Sequence, residues 1–267
     1  MRILALDCGT TLIKAGVFDI GRPPVVKAPS KLWIENAVAP ATETTMAGRD
    51  RSHLDVDHYL KRVFGLLQRV SEQTGPIDAL CLAVCCPALV PLDSSFRPLY
   101  PALTHFHQAS QPQARELADT LGRELWLSRA GNLPVPGGIS ASSLHWLMAR
   151  RPRVVAGTRY WVHLHSVLLH SLTGRLITDP TQAAYTGLYD SVGATGWLDD
   201  DWLESIGLAR EQLPGIVPSA SVAGPLTGTA ARAAGLAEGL PVITGGADIP
   251  AALLAAGEVF PEAALNM

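Results

Sequence analysis

Residues 4–19, LALDCGTTLIKAGVFD, set the tightest constraint on this fold. Two apolar runs, RILALD and IKAGVFDI, are separated only by Gly9-Thr10-Thr11, so they are predicted to be neighbouring strands, with PPVVKA as a third strand of the same meander. The turn gathers polar groups: Asp7 at the end of the first strand, the hydroxyls of Thr10 and Thr11, and the amine of Lys14. Glycine lets a backbone approach a ligand closely, and successive N–H groups in such a turn form an anion-binding concavity. Asp7 would face a phosphate only across a metal, usually Mg²⁺ with several waters retained. The turn therefore suits a metal–phosphate cradle, and it equally suits a plain hairpin with a solvated Asp and Lys. Neither GxxxxGK[ST] nor GxGxxG occurs in the chain.

Beyond the meander, strands alternate with helices, which indicates a mixed α/β fold. Apolar residues at Leu60, Val63, Phe64, Leu67 and Val70 predict a helix over 57–74, ended by Gly75-Pro76. The run over 79–92 reads as one buried strand and its exit, and further helices are expected over 108–122, 140–150 and 160–173. LITDPTQAAYTGLYD reads as an irregular connection, LDDDWLESIGL as a short acid-capped helix, GTAARAAGL as a helix and LPVIT as a strand.

The remaining bulk properties exclude several classes of function. With 267 residues, 48% of them hydrophobic, the chain can bury a large core in one large domain or two small ones. Its 24 acidic and 21 basic residues give a net charge of -3 and are interleaved, which argues against a nucleic-acid surface or a polybasic membrane patch and favours a small-molecule partner. The longest apolar run is too short to span a bilayer, and Asp7 interrupts any signal-peptide core, so a cytoplasmic protein is expected. Cys8, Cys81, Cys85 and Cys86 form no zinc-type pairs and fit a reducing compartment. A homodimer stays open.

A second glycine turn lies at the other end of the chain, in VITGGADIPAALLAAG. Gly245 and Gly246 permit a tight bend, and Asp248 stands just before Pro250, a residue suited to the first turn of a helix. Asp248 reads either as a helix cap or as a general base able to accept a hydroxyl proton.

With both turns in one chain and further matching stretches between them, the sequence resembles the FGGY family of carbohydrate kinases, xylulose-kinase-like members above all. The family's opening D-x-G-T-[TS]-x-x-[KR] is similar to Asp7 through Lys14, its LTG....D.S.A...G..D.....W pattern is similar to residues 171–197, and its LP.....s..v.G.l...aA...GL..G.PV..GG.D..aa.lG.G stretch to residues 213–257. The resemblance implies a ribonuclease-H-like lobe of the actin-like ATPase superfamily: a mixed sheet flanked by helices. It also implies ATP and Mg²⁺ as cofactors and a sugar or polyol as the small-molecule partner, a ketopentose such as xylulose favoured. Carried over residue by residue, Asp7 would position Mg²⁺, and Gly9, Thr10, Thr11 and Lys14 would contact the ATP phosphates. Asp248 would be the catalytic base, and Gly245 and Gly246 would let it approach the substrate.

The sequence also departs from the family. Cys85-Cys86-Pro87 replaces a Gln-Met-His type stretch, and His105, His107 and Ala109 stand where W.D.R is usual in the sugar loop. His105 and His107 read as sugar-contacting residues, as two metal ligands or as ordinary loop histidines. His163, His165 and His170 are expected on one helix, in structural roles. Ser143 takes the place of the Lys in K.[LI].W[LI], which survives as Leu144, Trp146 and Leu147. Relatives carry a second lobe with the adenine pocket, so residues 1–245 are expected to be the sugar-binding lobe and 246–267 the hinge and start of the ATP-binding lobe. Such a lobe alone would be inactive. The alternative from another class is a non-catalytic sugar-binding or regulatory protein derived from such a kinase. SLTG and GGAD argue against a heat-shock-like ATPase.

Overall fold

The structure is a computed structural model that describes residues 1–20, 30–38 and 51–255. It opens with the expected hairpin: β1 (Arg2–Cys8) and β2 (Leu12–Asp19) pair antiparallel, with Asp7 opposite Lys14. β3 (Ser30–Val38) adds antiparallel to β2. The expected third strand, PPVVKA at 23–28, lies outside the described residues. After the short β4 (His53–Leu54), α1 (Val56–Gln73) fills the predicted helical span. Asp55 caps it by accepting from the His58 N–H at 2.9 Å, and its Tyr59, Val63, Leu66, Leu67 and Val70 face inward.

The buried strand expected at the start of the 79–92 run forms, and its expected exit is a second strand in another sheet. β5 (Ala79–Val84) runs parallel to β1, whereas β6 (Ala88–Leu92) pairs antiparallel with β7 (Ala102–Thr104). Between them comes Pro87, which lacks the N–H a continuing ladder would need. α2 (Gln111–Leu121), α3 (Arg123–Arg129), α4 (Ser140–Arg150) and α5 (Pro152–Gly157) follow.

The helix expected over 160–173 begins four residues late, because Tyr160–His163 form β8 against β6 before α6 (Leu164–Thr173) starts. Tyr-Trp-Val-His is an aromatic and β-branched run, and its strand preference wins once β6 offers an edge. His163 therefore sits on a strand end, not on the helix with His165 and His170. The supposed irregular connection contains β9 (Ile177–Thr178) and α7 (Pro180–Ala184). Then come α8 (Asp200–Ser205), capped by Asp199 as its sequence implied, β10 (Gly215–Ile216), β11 (Val222–Pro225), α9 (Gly228–Ala234), β12 (Pro241–Ala247) and α10 (Asp248–Ala255).

The six-stranded mixed sheet has the order β11-β12-β5-β1-β2-β3, with β12, β5 and β1 mutually parallel. A four-stranded sheet, β4-β7-β6-β8, stands beside it. Alternation along β1 sends Leu4, Leu6 and Cys8 into one core with α1, α6 and α9, and turns Ile3, Ala5 and Asp7 to the opposite, half-exposed face. Each such leucine, fully buried, contributes roughly 1.5–3 kcal/mol. A second core built on Trp126, Leu144, Leu147, Trp161 and Trp202 supports the smaller sheet. Because the three central strands are parallel, their carboxyl ends meet at one edge: Cys8 pairs with Val84, and Val84 with Ala247. That edge is where open α/β sheets bind ligands, and both glycine turns of the sequence are on it.

Candidate active site

At this edge an open cleft of about 1050 Å³, counting the solvent it opens onto, is lined by Asp7, Gly9, Thr10, Thr11, Lys14 and Asp248, together with Leu12, Ala83, Ile249, Ala251 and Ala252. The two acids that the sequence places at opposite ends of the chain thus share one opening. Asp7 ion-pairs with Lys14 at 2.8 Å, both side chains remaining more than two-fifths exposed. The pairing follows from the hairpin register, which puts the two directly across from each other.

The turn between them is held by the Gly9 N–H donating to the Leu12 carbonyl at 3.1 Å and by the buried Tyr59 hydroxyl donating to the Gly9 carbonyl at 3.1 Å. A Cβ on Gly9 would come within 2.8 Å of the Leu12 carbonyl oxygen, so the close backbone approach requires glycine. The residues present fit a Mg–nucleotide phosphate. A half-exposed carboxylate offers a hard oxygen donor to an ion that keeps much of its water, and a glycine-tight turn with two hydroxyls and an ammonium offers donors to an anion.

Asp248 is the first residue of α10, directly after the sheet edge. Its Oδ1 accepts from the Ile249 N–H at 2.9 Å. Burial pushes its carboxyl above the ordinary aspartate range; the Ile249 N–H counters this, and the charge of Asp7 adds to it. A carboxylate whose affinity for a proton is raised, in an open cleft, is the environment that general bases occupy.

The backbone before it is strongly shaped. Gly245 has φ +66°, and a Cβ there would lie 1.8 Å from the Leu82 carbonyl oxygen, so only glycine passes this irregularity in β12. Gly246 is buried and absent from the cleft lining. The space its Cβ would take is occupied by Thr181 Oγ1 at 2.5 Å and Asp179 Oδ2 at 2.8 Å, so its bare Cα makes room for that pair.

The histidines separate sharply. His105 is half-buried, its Nδ1 is enclosed without a hydrogen-bond partner, and burial lowers its pKa while the nearby Asp248 charge opposes that. His107 is 1% exposed, bonds Ser143 Oγ through Nδ1 at 3.1 Å and packs against His53 and Trp146, so it reaches a ligand only if these neighbours move. Ser143, where the family pattern has Lys, is thus a partner of His107. Among the described residues no group of three potential metal ligands comes together.

His163 is buried in a closed network. Gln182 Nε2 donates to the Val84 carbonyl at 2.9 Å, leaving Gln182 Oε1 to accept from His163 Nδ1 at 3.1 Å, while Ser140 Oγ donates to His163 Nε2 at 2.6 Å. Burial holds this imidazole neutral, its pKa lowered to about 4. Cys86 Sγ is 3.6 Å from the same Nδ1, so the Cys85-Cys86-Pro87 stretch is packed on this network, and burial pushes the thiols of Cys8, Cys85 and Cys86 up, that of Cys8 to about 12. All four cysteines are free.

Sequence reasoning missed Asp179, Thr181 and Ser219, which stand directly behind Asp248. The Asp-Pro-Thr signal was available, since an Asp before a proline at a helix start predicts a cap. Ala83 was available too, from the alternation of β5.

Among the described residues no helix is long and apolar enough to cross a membrane. Residues 2–255 match the FGGY family of carbohydrate kinases, N-terminal domain. The chain is 29% identical over 223 residues to a xylulose kinase of Streptomyces rubiginosus, covering 83% of this chain and 44% of that one. It is 27% identical over 271 residues to an L-fuculokinase of Salmonella typhi, covering 99% and 54%. The chain therefore spans about half the length of these curated relatives. The solved xylulose kinase of Rhodospirillum rubrum superposes on 98% of this chain and 52% of its own with a TM-score of 0.86, at 23% identity, which establishes the actin-like ATPase fold. On the match across almost its whole length, this chain belongs to the FGGY family of carbohydrate kinases, in the family's N-terminal domain.

Proposed function

We propose that this chain is the sugar-binding lobe of an ATP-dependent kinase that phosphorylates a hydroxyl of a sugar or polyol, a ketopentose such as xylulose favoured. The observation that carries the reading is that Asp7 and Asp248 line one cleft. Phosphoryl transfer asks little covalent chemistry of the protein; it asks for positioning, charge stabilisation and a group to take the proton. Mg·ATP supplies, when bound, the transferable phosphoryl group and the cation that offsets its charge. Asp7 would hold the metal through its waters, and the Gly9-Thr10-Thr11 turn with Lys14 would hold the phosphates. Asp248 would accept the proton of the attacking hydroxyl, its raised proton affinity matched to that task. His105, half-buried and near enough to Asp248 for their charges to interact, would bind a neighbouring hydroxyl once its enclosed Nδ1 is uncovered; His107 would join it only after rearrangement. Residues 1–245 would form the lobe and 246–267 lead into the ATP-binding half, of which 256–267 lie outside the described residues. Relatives named xylulose kinase and L-fuculokinase support a sugar substrate, and between these two the ketopentose preference rests on the sequence resemblance.

The experiment is a thermal-shift screen of ketoses, aldoses and polyols with and without Mg·ATP, followed by phosphorylation assays of Asp248→Asn in the complete kinase. A ligand that binds only the native state adds RT ln(1 + [L]/Kd) to stability. The expected outcome is a sugar-dependent shift retained in Asp248→Asn, with turnover lowered about 10²–10⁴-fold. Turnover near the wild-type rate in that variant removes Asp248 from the mechanism. The departures from the family pattern at Cys85-Cys86-Pro87 and at 105–109 favour a second reading, a non-catalytic sugar-binding or regulatory protein. Sugar binding with no phosphorylation by the wild-type complete protein would select it.

A further inference from the structure

Asp179 is 0% exposed, yet the sequence around it gives no reason to bury a carboxylate beyond capping the five-residue α7. A cap needs one oxygen, and Oδ1 serves it by accepting from the Gln182 N–H at 3.1 Å. Oδ2 does something else. It accepts from the Thr181 N–H at 3.0 Å, from Thr181 Oγ1 at 2.7 Å and from Ser219 Oγ at 2.7 Å, so it ties α7 to the segment before β11.

Thr181 Oγ1, its proton committed to Asp179, accepts in turn from the Ala247 N–H at 2.8 Å. Ala247 is the residue immediately before Asp248, and the Gly245 N–H, two residues earlier, donates to the Ser219 carbonyl at 2.9 Å. Both contacts pull the same three-residue corner onto one buried carboxylate, and the missing Cβ of Gly246 is what lets the pair approach.

We infer that Asp179, acting through the Thr181 hydroxyl and seconded by Ser219, is the positioning group that fixes the Asp248 carboxylate at the mouth of the cleft. The inference rests on the reading of Asp248 as the base. With both Asp179 oxygens acting as acceptors, the Thr181 hydroxyl donates toward Oδ2, which leaves only lone pairs facing the Ala247 N–H. That N–H is thereby locked, and the first turn of α10 with it. Replacing the threonine by its isostere valine keeps the packing and removes only this link.

The test uses the full chain with ¹³C-labelled aspartate. The Asp248 carboxyl signal is assigned by its loss in Asp248→Asn, and its titration and the hydrogen exchange of the Ala247 amide are followed in Thr181→Val, Thr181→Ser and Ser219→Ala. In Thr181→Val the Asp248 midpoint is expected to fall toward the ordinary aspartate range by about half a pH unit as the corner loosens and hydrates. The Ala247 amide should exchange about tenfold faster. Thr181→Ser should restore both, a rescue that lost packing alone would not produce. An unchanged Asp248 midpoint in Thr181→Val, or failure of the serine to restore it, overturns the inference. Should Thr181→Val not fold, Ser219→Ala decides, with a smaller shift in the same direction supporting the inference and none overturning it. Failure of the underlying reading shows separately, as turnover near the wild-type rate in Asp248→Asn while the titration behaves as described.

Discussion

The two ends of the cleft are built on opposite principles. At the hairpin end the charged groups sit in water: Asp7 and Lys14 pair across two strands with side chains 43% and 47% exposed, and only the backbone of Gly9 is held from below, by Tyr59. At the β12–α10 end the acid that faces the cleft is backed by a polar bracket in which buried Asp179 is joined by half-buried Thr181 and Ser219, and the chain passes it through a left-handed glycine. A site that receives a hydrated metal–phosphate needs little pre-organisation, because the ligand brings its own charge and waters. A base that must meet one hydroxyl needs its carboxylate fixed before the alcohol arrives.

This contrast can be broken first at its stiffest point. Gly245→Ala forces a Cβ to within 1.8 Å of the Leu82 carbonyl oxygen at φ +66°, so it should destabilise by more than about 3 kcal/mol or prevent folding, read by urea denaturation. Next, Asp179→Ala strands the donors that converge on it and should cost about 3 kcal/mol by the same measurement, with turnover of the complete kinase lowered in parallel. A loss below about 1 kcal/mol would mean that the bracket is dispensable.

The buried histidine beneath the same end supplies a pH signature. His163 has a folded-state pKa of about 4 against 6.5 unfolded, so below pH 6.5 the unfolded chain takes up the proton first. Stability is therefore full above pH 6.5 and declines as pH falls toward 4, by an amount on the order of 3 kcal/mol. His163→Gln should flatten that part of a stability-versus-pH curve, and an unchanged slope would show that His163 is not its source. The smallest effect belongs to the hairpin end. Lys14→Ala removes an exposed ion pair and should change stability by less than about 1 kcal/mol, while weakening Mg·ATP binding in the complete kinase about tenfold, measured by titration calorimetry. A large loss of stability there would erase the difference between the two ends.

What the sequence disclosed follows the same division. Features fixed by near neighbours were legible: the Gly9 hairpin, the helix whose apolar spacing runs from Leu60 to Val70, the Asp199 cap, and Asp248 at the start of a helix. Features fixed by distant partners were not. Tyr160–His163 has the spacing of a helix, but a strand forms because β6 lies alongside, and Pro87 splits one apolar run between two sheets. His105 and His107 look equivalent in the sequence, two residues apart in one loop. The Trp146, His53 and Ser143 side chains, remote in sequence, bury the second and leave the first near Asp248. The stretch around Asp179 reads as an irregular connection although the proline after it signals a cap, and the ties of its second oxygen to Ser219 and, through Thr181, to Ala247 exist only in the folded chain.

The most direct measurement is a diffraction structure of this chain with whichever sugar or polyol raises its melting temperature furthest. The account predicts a substrate hydroxyl within about 3 Å of an Asp248 carboxylate oxygen, beside His105 and on the Asp7 side of the sheet edge. A ligand seated instead in the polar depression between Arg129 and Arg210, with Asp248 left to solvent, would contradict it.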